Sequence, residues 1–387
     1  MKLTLDIEKV AHGGVFVARH EGQVYFVSGA LPGEKVVAQV TEQEKSFSRA
    51  EVIEVVESSP HRVPHFWKAS LHGAGGAEFG HIDLPFQREL KTQILRENLN
   101  RMAKLESSAE VEQAPDDRAD GLRYRTRLQL NVDSSGLAGP SKARSNEIVF
   151  TKDLPLAVPE IEELGLHLKN FSGVQKIRIA TSNTGDVQWQ VDEKTQGSSQ
   201  LLERVGQRTF RLSVGGFWQA HKAAAALLSE AVIEFEKELE FDAKKENLDL
   251  YSGAGLFSAT SSVVFENAHF TAVESSAKAV SSGERSASDL AHLKFVKADV
   301  LKFLRTRAEG SFDTVILDPP RSGAASKVVN QLLRLAPRNI IYVACDPVAL
   351  SRDLLTLQNG GYRVRGIRAF DIFPHTHHFE TVVALSR

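Results

Sequence analysis

The sequence predicts an α/β protein: a Rossmann-like, doubly wound sheet in the C-terminal part, preceded by a small β-barrel and a central α+β region. Three observations lead there. From Leu212 onward, strand-length apolar runs alternate with segments of helical period, the pattern of repeated βα units. Between Leu3 and Val56, short apolar runs such as Val15-Phe16-Val17 and Val24-Tyr25-Phe26-Val27 are punctuated by Gly13-Gly14, Glu21-Gly22 and Pro32-Gly33, as in a small antiparallel barrel. Between these regions lie one strongly signalled helix and several short strand-like stretches. The expected boundaries are 1–58 for the barrel, 59–211 for the connector, helix and central domain, and 212–387 for the doubly wound domain.

The chain has 387 residues, too many for one small core, and its 42% hydrophobic and 25% charged residues are ordinary globular proportions. No apolar run of about 18 residues exists, and Met1 to Val10 alternates charge with aliphatics, so no membrane span or signal peptide is expected and the location is expected to be cytoplasmic. Lys and Arg total 47 against 49 Asp and Glu, so bulk charge gives no reason for a polyanion partner and local distribution must decide. One cysteine, Cys345, rules out an internal disulfide and a multi-thiolate metal site.

Past the barrel, residues 61–81 carry no helical or strand period and read as a connector. Asp83 can cap a helix with Pro85 in its first turn, and Phe86, Leu90, Ile94, Leu95, Leu99 and Met102 form its apolar face. The opposite face is expected to carry Arg88, Lys91, Arg96 and Arg101. Ser107 to Asp120 is acidic and reads as a surface loop. In the strand-like stretch that follows, Arg123, Arg125 and Arg127 alternate, so a strand would put all three on one face, either as a phosphate track or as a solvated row. Farther on, the pattern predicts helix 219–239, strand 247–251, a helix from Phe257, strands 270–273 and 314–317, helix 327–335, strand 340–344, helix 348–357, and closing strands 364–370 and 381–385.

Two rims of that sheet carry the chemistry. Leu248 to Ser258 is a buried strand entering a glycine turn and then a helix, with Gly253 and Gly255 allowing close backbone approach to a ligand. Some twenty residues on, Glu274 ends the next strand, where a carboxylate can accept hydrogen bonds from both ribose hydroxyls of a nucleoside cofactor. Asp299 ends the third strand and can meet an adenine edge. Asp318-Pro319-Pro320-Arg321 follows the fourth strand, its carboxylate held by a rigid turn, and Arg321 suits a phosphate or carboxylate. Cys345 follows the fifth, beside a helix N-terminus that favours thiolate. His375, His377 and His378 precede Glu380 in a loop before the last strand; with no carboxylate at ligand spacing they are expected to position the loop or contact phosphate, and no metal is expected.

These motifs, Asp249-Leu-Tyr-Ser-Gly-Ala-Gly255, Leu317-Asp-Pro-Pro-Arg321, Ala344-Cys-Asp-Pro347 and Phe373-Pro-His-Thr-His-His-Phe-Glu380, occur in the order found in the RNA 5-methyluridine methyltransferases that carry an N-terminal TRAM domain, which the chain resembles over nearly its whole length. The resemblance implies an oligonucleotide-binding barrel, an RNA-contacting central domain, base flipping into a catalytic pocket, and S-adenosylmethionine as cofactor. It implies that Gln219, Tyr251, Glu274, Asp299 and Asp318 hold the cofactor, that Cys345 adds to carbon 6 of a uridine, and that Glu380 later removes the carbon 5 proton. RNA, ribosomal or transfer, is the implied partner, and a monomer is expected. The chain departs from the family twice. Asp346 stands where many members have Asn, adding a charge beside the thiol. Ala74-Gly75-Gly76-Ala77 stands where many have Cys-Gly-Gly-Cys, and one cysteine cannot hold their iron-sulfur cluster. The rival readings are a cytosine carbon-5 enzyme of RNA, which usually needs a second cysteine, and an RNA-binding or folding factor with little catalysis.

Overall fold

The computed structural model of the chain describes residues 1–115, 117–142, 145 and 147–387. Strands β1 (Lys2–Ala11), β2 (Val15–His20), β3 (Gln23–Ser28), β4 (Lys35–Gln43) and β5 (Phe47–Glu57) close a barrel in the order β1-β2-β3-β5-β4. The barrel is antiparallel except where β5 inserts beside β3 and runs parallel to it. Its inward positions, among them Leu5, Ile7, Phe16, Val27, Val36 and Ala38, are buried and continue into one core shared with the C-terminal sheet. Buried Glu34 ties the barrel to the connector: its carboxylate accepts from Arg62 at 2.6 Å and from the backbone N–H of Leu31 and Ser59.

The connector contains one short 3-10 turn, Lys68–His72, and otherwise runs as loop, as its lack of period predicts. Ala74 and Ala77, where a cluster-binding relative would carry cysteines, are buried with Trp67, Ala69, Tyr124, Val149 and Leu156. Apolar packing thus holds this segment.

Helix α1 (Leu84–Ala103) starts where expected, with Asp83 accepting from the Phe86 N–H at 2.9 Å and Leu90, Ile94, Leu95 and Leu99 buried. Lys91 corrects the sequence reading. It is fully buried, not on the solvent face, and donates to Asp371 at 2.6 Å and to the Phe373 carbonyl at 3.1 Å. The acidic stretch after α1 contains an unforeseen strand, β6 (Val111–Gln113), which joins the edge of the C-terminal sheet. Its three residues are too few to show a period.

The central region is an antiparallel sheet, β11-β10-β9-β7-β8, of β7 (Arg127–Val132), β8 (Ala138–Gly139), β9 (Lys176–Thr181), β10 (Val187–Val191) and β11 (Lys194–Gly197), covered by the short helix α2 (Pro159–Glu162). A hairpin of β12 (Leu201–Val205) and β13 (Arg208–Leu212) leads out of it. The arginine row does not form. Arg123 has a φ of 61° and pairs with Glu162, Arg125 makes only isolated bridges, and Arg127 alone opens β7, donating to the carbonyls of Ser213 and Gly216. Alternation in the sequence was not strand alternation because the left-handed residue and the bridges break the extended run.

The C-terminal domain contains α3 (Ala224–Glu238), β14 (Glu246–Leu250), α4 (Leu256–Val264), β15 (His269–Glu274), α5 (Ala277–Ser286), β16 (Leu293–Lys297), α6 (Val300–Arg305), β17 (Thr314–Leu317), α7 (Ala325–Leu335), β18 (Asn339–Ala344), α8 (Pro347–Asn359), β19 (Arg363–Asp371) and β20 (Glu380–Ser386). Eight strands pair in the order β16-β15-β14-β17-β18-β20-β19-β6. The five from β16 to β18 are parallel, and β20 enters antiparallel to both β18 and β19. The expected elements are present; α3, however, begins at Ala224 rather than at Gln219, which sits in the segment leading to it. Helix α1 packs along α8.

Two predictions follow from packing. Lys91→Met leaves Asp371 as an uncompensated buried charge, and chemical denaturation should show a loss of about 3 kcal/mol or more. At the turn between β14 and α4, Gly255 has a φ of 80° and an added Cβ would lie 2.6 Å from the Phe295 ring, whereas Gly253, with a φ of 55°, faces open space. Gly255→Ala should therefore cost about 3 kcal/mol, and Gly253→Ala only about 1 kcal/mol, in the same measurement.

Candidate active site

Strand order reverses on either side of β14, so the crevice at the carboxyl ends of β14 and β17 is the switch point where open α/β sheets take ligands. The chain leaves β14 through Tyr251, Gly253 and Gly255, all with positive φ. Glu274, at the end of β15, faces this turn: its carboxylate accepts from the N–H of Gly253 at 3.2 Å and of Ser276 at 2.6 Å. Asp299 caps α6 by accepting from the Lys302 N–H at 2.9 Å, which commits one of its oxygens. Burial, then the charges of Asp299 and Asp353, push the Tyr251 phenol up to about 12. Gln219 is buried in the segment before α3. Asp249 Oδ1 and Ser252 Oγ are buried without a partner among the described residues. An open glycine turn, a carboxylate held at its edge and orphaned polar atoms fit a nucleoside-bearing cofactor such as S-adenosylmethionine.

The second rim gathers Asp318 after β17, Cys345 after β18 and Glu380 at the start of β20. Ala344 pairs with Thr381 across the antiparallel ladder, so the next step places Cys345 alongside Glu380. Glu380 is 6% exposed, and its Oε2 has no partner among the described residues. Burial, with the neighbouring Asp318 charge, holds Glu380 well above the carboxylate range; Arg321 opposes this. Asp318 is pushed up to about 7 by burial and by Asp249. Burial and the surrounding carboxylates push the partly buried Cys345 thiol up to about 12, with Arg321 acting the other way. Burial and these carboxylates thus work against the thiolate that the neighbouring helix N-terminus is expected to favour. Asp346 caps α8, accepting from the Ala349 N–H at 2.8 Å.

The loop carrying the histidines is pinned from outside the sheet. The His375 N–H donates to Gln87 Oε1 at 2.8 Å, and Tyr124 donates to the Pro374 carbonyl at 3.1 Å. His375 itself is buried, with Nε2 on the Asp120 carbonyl at 2.8 Å and Nδ1 on Gln87 Nε2 at 3.2 Å. Both ring nitrogens are engaged, so His375 positions the loop and has no nitrogen left for a phosphate. His377 pairs with Glu78, and Arg321 lies 3.4 Å from His378 Nε2. Glu78, His377 and His378 bring ligand-type atoms within 4.8 Å of one another. Because Glu78 and His377 satisfy each other and a guanidinium abuts His378, the cluster reads as a hydrogen-bonded network that holds the loop. Sequence reasoning missed Gln87, Lys91 and Glu78, whose partners lie 288, 280 and 299 residues away. No local pattern signals such contacts.

A family model described as tRNA (Uracil-5-)-methyltransferase matches residues 200–387, and a TRAM domain model matches residues 2–53. A Streptomyces avermitilis protein described as an uncharacterized RNA methyltransferase is 35% identical, with 98% of this chain and 97% of the relative aligned. A Corynebacterium glutamicum protein of the same description is 31% identical over 98% of this chain and 95% of its own. The tRNA (uracil-54, C5)-methyltransferase of Pyrococcus abyssi, solved with S-adenosyl-L-homocysteine, shares the fold with a TM-score of 0.75 at 22% identity, covering 99% of this chain and all of that one. Among the described residues no helix is long and apolar enough to cross a membrane. By these similarities the chain belongs to the RNA (uracil-5-)-methyltransferase family, with an N-terminal TRAM domain.

Proposed function

We propose that the protein methylates carbon 5 of a uridine in structured RNA, with Cys345 as covalent nucleophile and Glu380 as the base that completes the reaction. The observation that carries this is the register of β18 against β20, which sets the chain's sole thiol alongside a buried carboxylate with an unpartnered oxygen. Carbon 5 of uracil is a weak nucleophile. Once the Cys345 thiol has given its proton to solvent, addition of the thiolate at carbon 6 turns the ring into an enolate, whose carbon 5 can take a methyl group. S-adenosylmethionine supplies that methyl as an electrophile on a sulfonium. Glu380 then takes the proton from carbon 5; the electron pair re-forms the ring double bond as the carbon–sulfur bond breaks, and the thiolate leaves. Gln219, Tyr251, Glu274, Asp299 and Asp318 would hold the cofactor, the turn would give it room at Gly253 while Gly255 makes way for the Phe295 ring, and Arg321 is a cation that favours the thiolate.

Substrate contact must deprotonate a reluctant site. Burial raises the Cys345 thiol and holds Glu380 above the ordinary range, yet addition needs the thiolate and the last step needs the carboxylate. Both requirements have the same sign. The single-turnover rate should therefore climb from pH 6 to pH 9, whereas a profile flat above pH 5.5 would show that neither group limits.

Nucleoside mass spectrometry of RNA lacking 5-methyluridine, after incubation with protein and S-adenosylmethionine, tests the reaction. Wild type should form 5-methyluridine and Cys345→Ala none. A 5-methylcytidine product would transfer the reading to cytosine, and no product would favour a binding factor. Glu380→Gln should still add to the base but release it about 100-fold to 10,000-fold more slowly, accumulating a protein–RNA adduct on denaturing gels.

A further inference from the structure

Residues 12–14, the turn between β1 and β2 of the barrel, reach the reaction rim. His12 Nε2 lies 3.2 Å from Asp346 Oδ2, and Asp346 directly follows the nucleophile. The His12 ring stands edge-on to His377, with ring centroids 6.4 Å apart. Gly14 is close enough that an added Cβ would sit 3.1 Å from His377 Nδ1 and 3.0 Å from Glu78 Cγ. The barrel turn is therefore packed against the loop that carries the base.

The charges around Cys345 are unbalanced. Glu380, Asp318 and Asp346 disfavour its thiolate, and Arg321 favours it. The three carboxylates differ in state. Burial lifts Asp318 and Glu380, so they can shed charge by holding protons. Burial would lift Asp346 too, but its bonds from His12 and from the Ala349 N–H keep it below the ordinary range. Asp346 is thus the carboxylate that stays ionised next to the thiol, and His12 is the group that answers it.

We propose that His12 of the barrel is a positioning residue of the catalytic site, which holds and offsets the Asp346 carboxylate so that Cys345 can act as a nucleophile. The inference rests on the proposed role of Cys345. It makes the barrel part of the reaction centre as well as a means of gripping RNA.

Because the chain has one cysteine, its alkylation by iodoacetamide reports Cys345 alone, with no RNA or cofactor needed. At pH 7 His12→Ala should slow alkylation by about 3-fold to 10-fold, the scale of one partly solvated charge pair. Asp346→Asn keeps an oxygen for the α8 cap while removing the charge, and in that background His12→Ala should change nothing. Circular dichroism confirms that each variant is folded; His12 is 42% exposed and its loss opens no cavity. In methylation assays His12→Ala should lower kcat with KM for RNA unchanged, and His12→Ala with Asp346→Asn should recover to within about 2-fold of Asp346→Asn alone. Equal alkylation of wild type and His12→Ala, or an equal slowing in the Asp346→Asn background, would overturn the proposal. So would a raised KM with kcat intact, which would make His12 an RNA contact only. Should wild type form no 5-methyluridine while the alkylation cycle behaves as stated, the functional reading fails and the pairing stands.

Discussion

The antiparallel registration of β20 on β18 is the constraint to which the rest of the site answers. Every residue of β18 is buried, as is all of β20 up to its last residue, so both backbone pairing and side-chain packing fix the register. Side chains alternate faces along a strand, and a slip of one residue would send Glu380 to the far side of the sheet, away from Cys345. The return loop between β19 and β20 cannot supply that accuracy by itself. It is held by Gln87 and Lys91 from α1, by Tyr124 from the central region and by Glu78 from the connector. Three parts of the chain thus converge on the segment from Asp371 to His377.

Positioning of this kind has an electrostatic cost. Carboxylates at 249, 318 and 380 are gathered where water is scarce, and burial lifts all three above the ordinary carboxylate range. The molecule tolerates this because protons can neutralise them, while the charges that must persist are paired: Lys91 with Asp371, and Asp346 with His12. Strained, poorly solvated groups are what an active rim retains when stability alone would replace them.

Local physics made much of the architecture legible. Strands 314–317 and 340–344 are apolar runs bounded by turn residues, and α1 announces itself through Asp83 and Pro85. The glycine turn and the candidate rim residues stand out in the sequence because the proposed chemistry calls for those residue types at strand ends. What escaped detection depended on distant partners. Lys91 looks like a solvent-facing cation until Asp371 is placed against it, and β6 is invisible without the edge of β19. His375 resembles a phosphate ligand until Gln87 and Asp120 occupy its nitrogens. The arginine alternation misled because a positive φ at Arg123 depends on the turn around it rather than on its own propensity.

The pinning of the loop also bears on how the enzyme comes into being. Glu78 and His377 are separated by 299 residues, so at a synthesis rate of about 5 to 20 residues per second the connector waits roughly 15 to 60 seconds for its partner to be made. During that interval the barrel can close, but the helix carrying Gln87 and Lys91 has no loop to hold. The rim proposed for catalysis is therefore assembled only once the loop from Asp371 to Glu380 has been made.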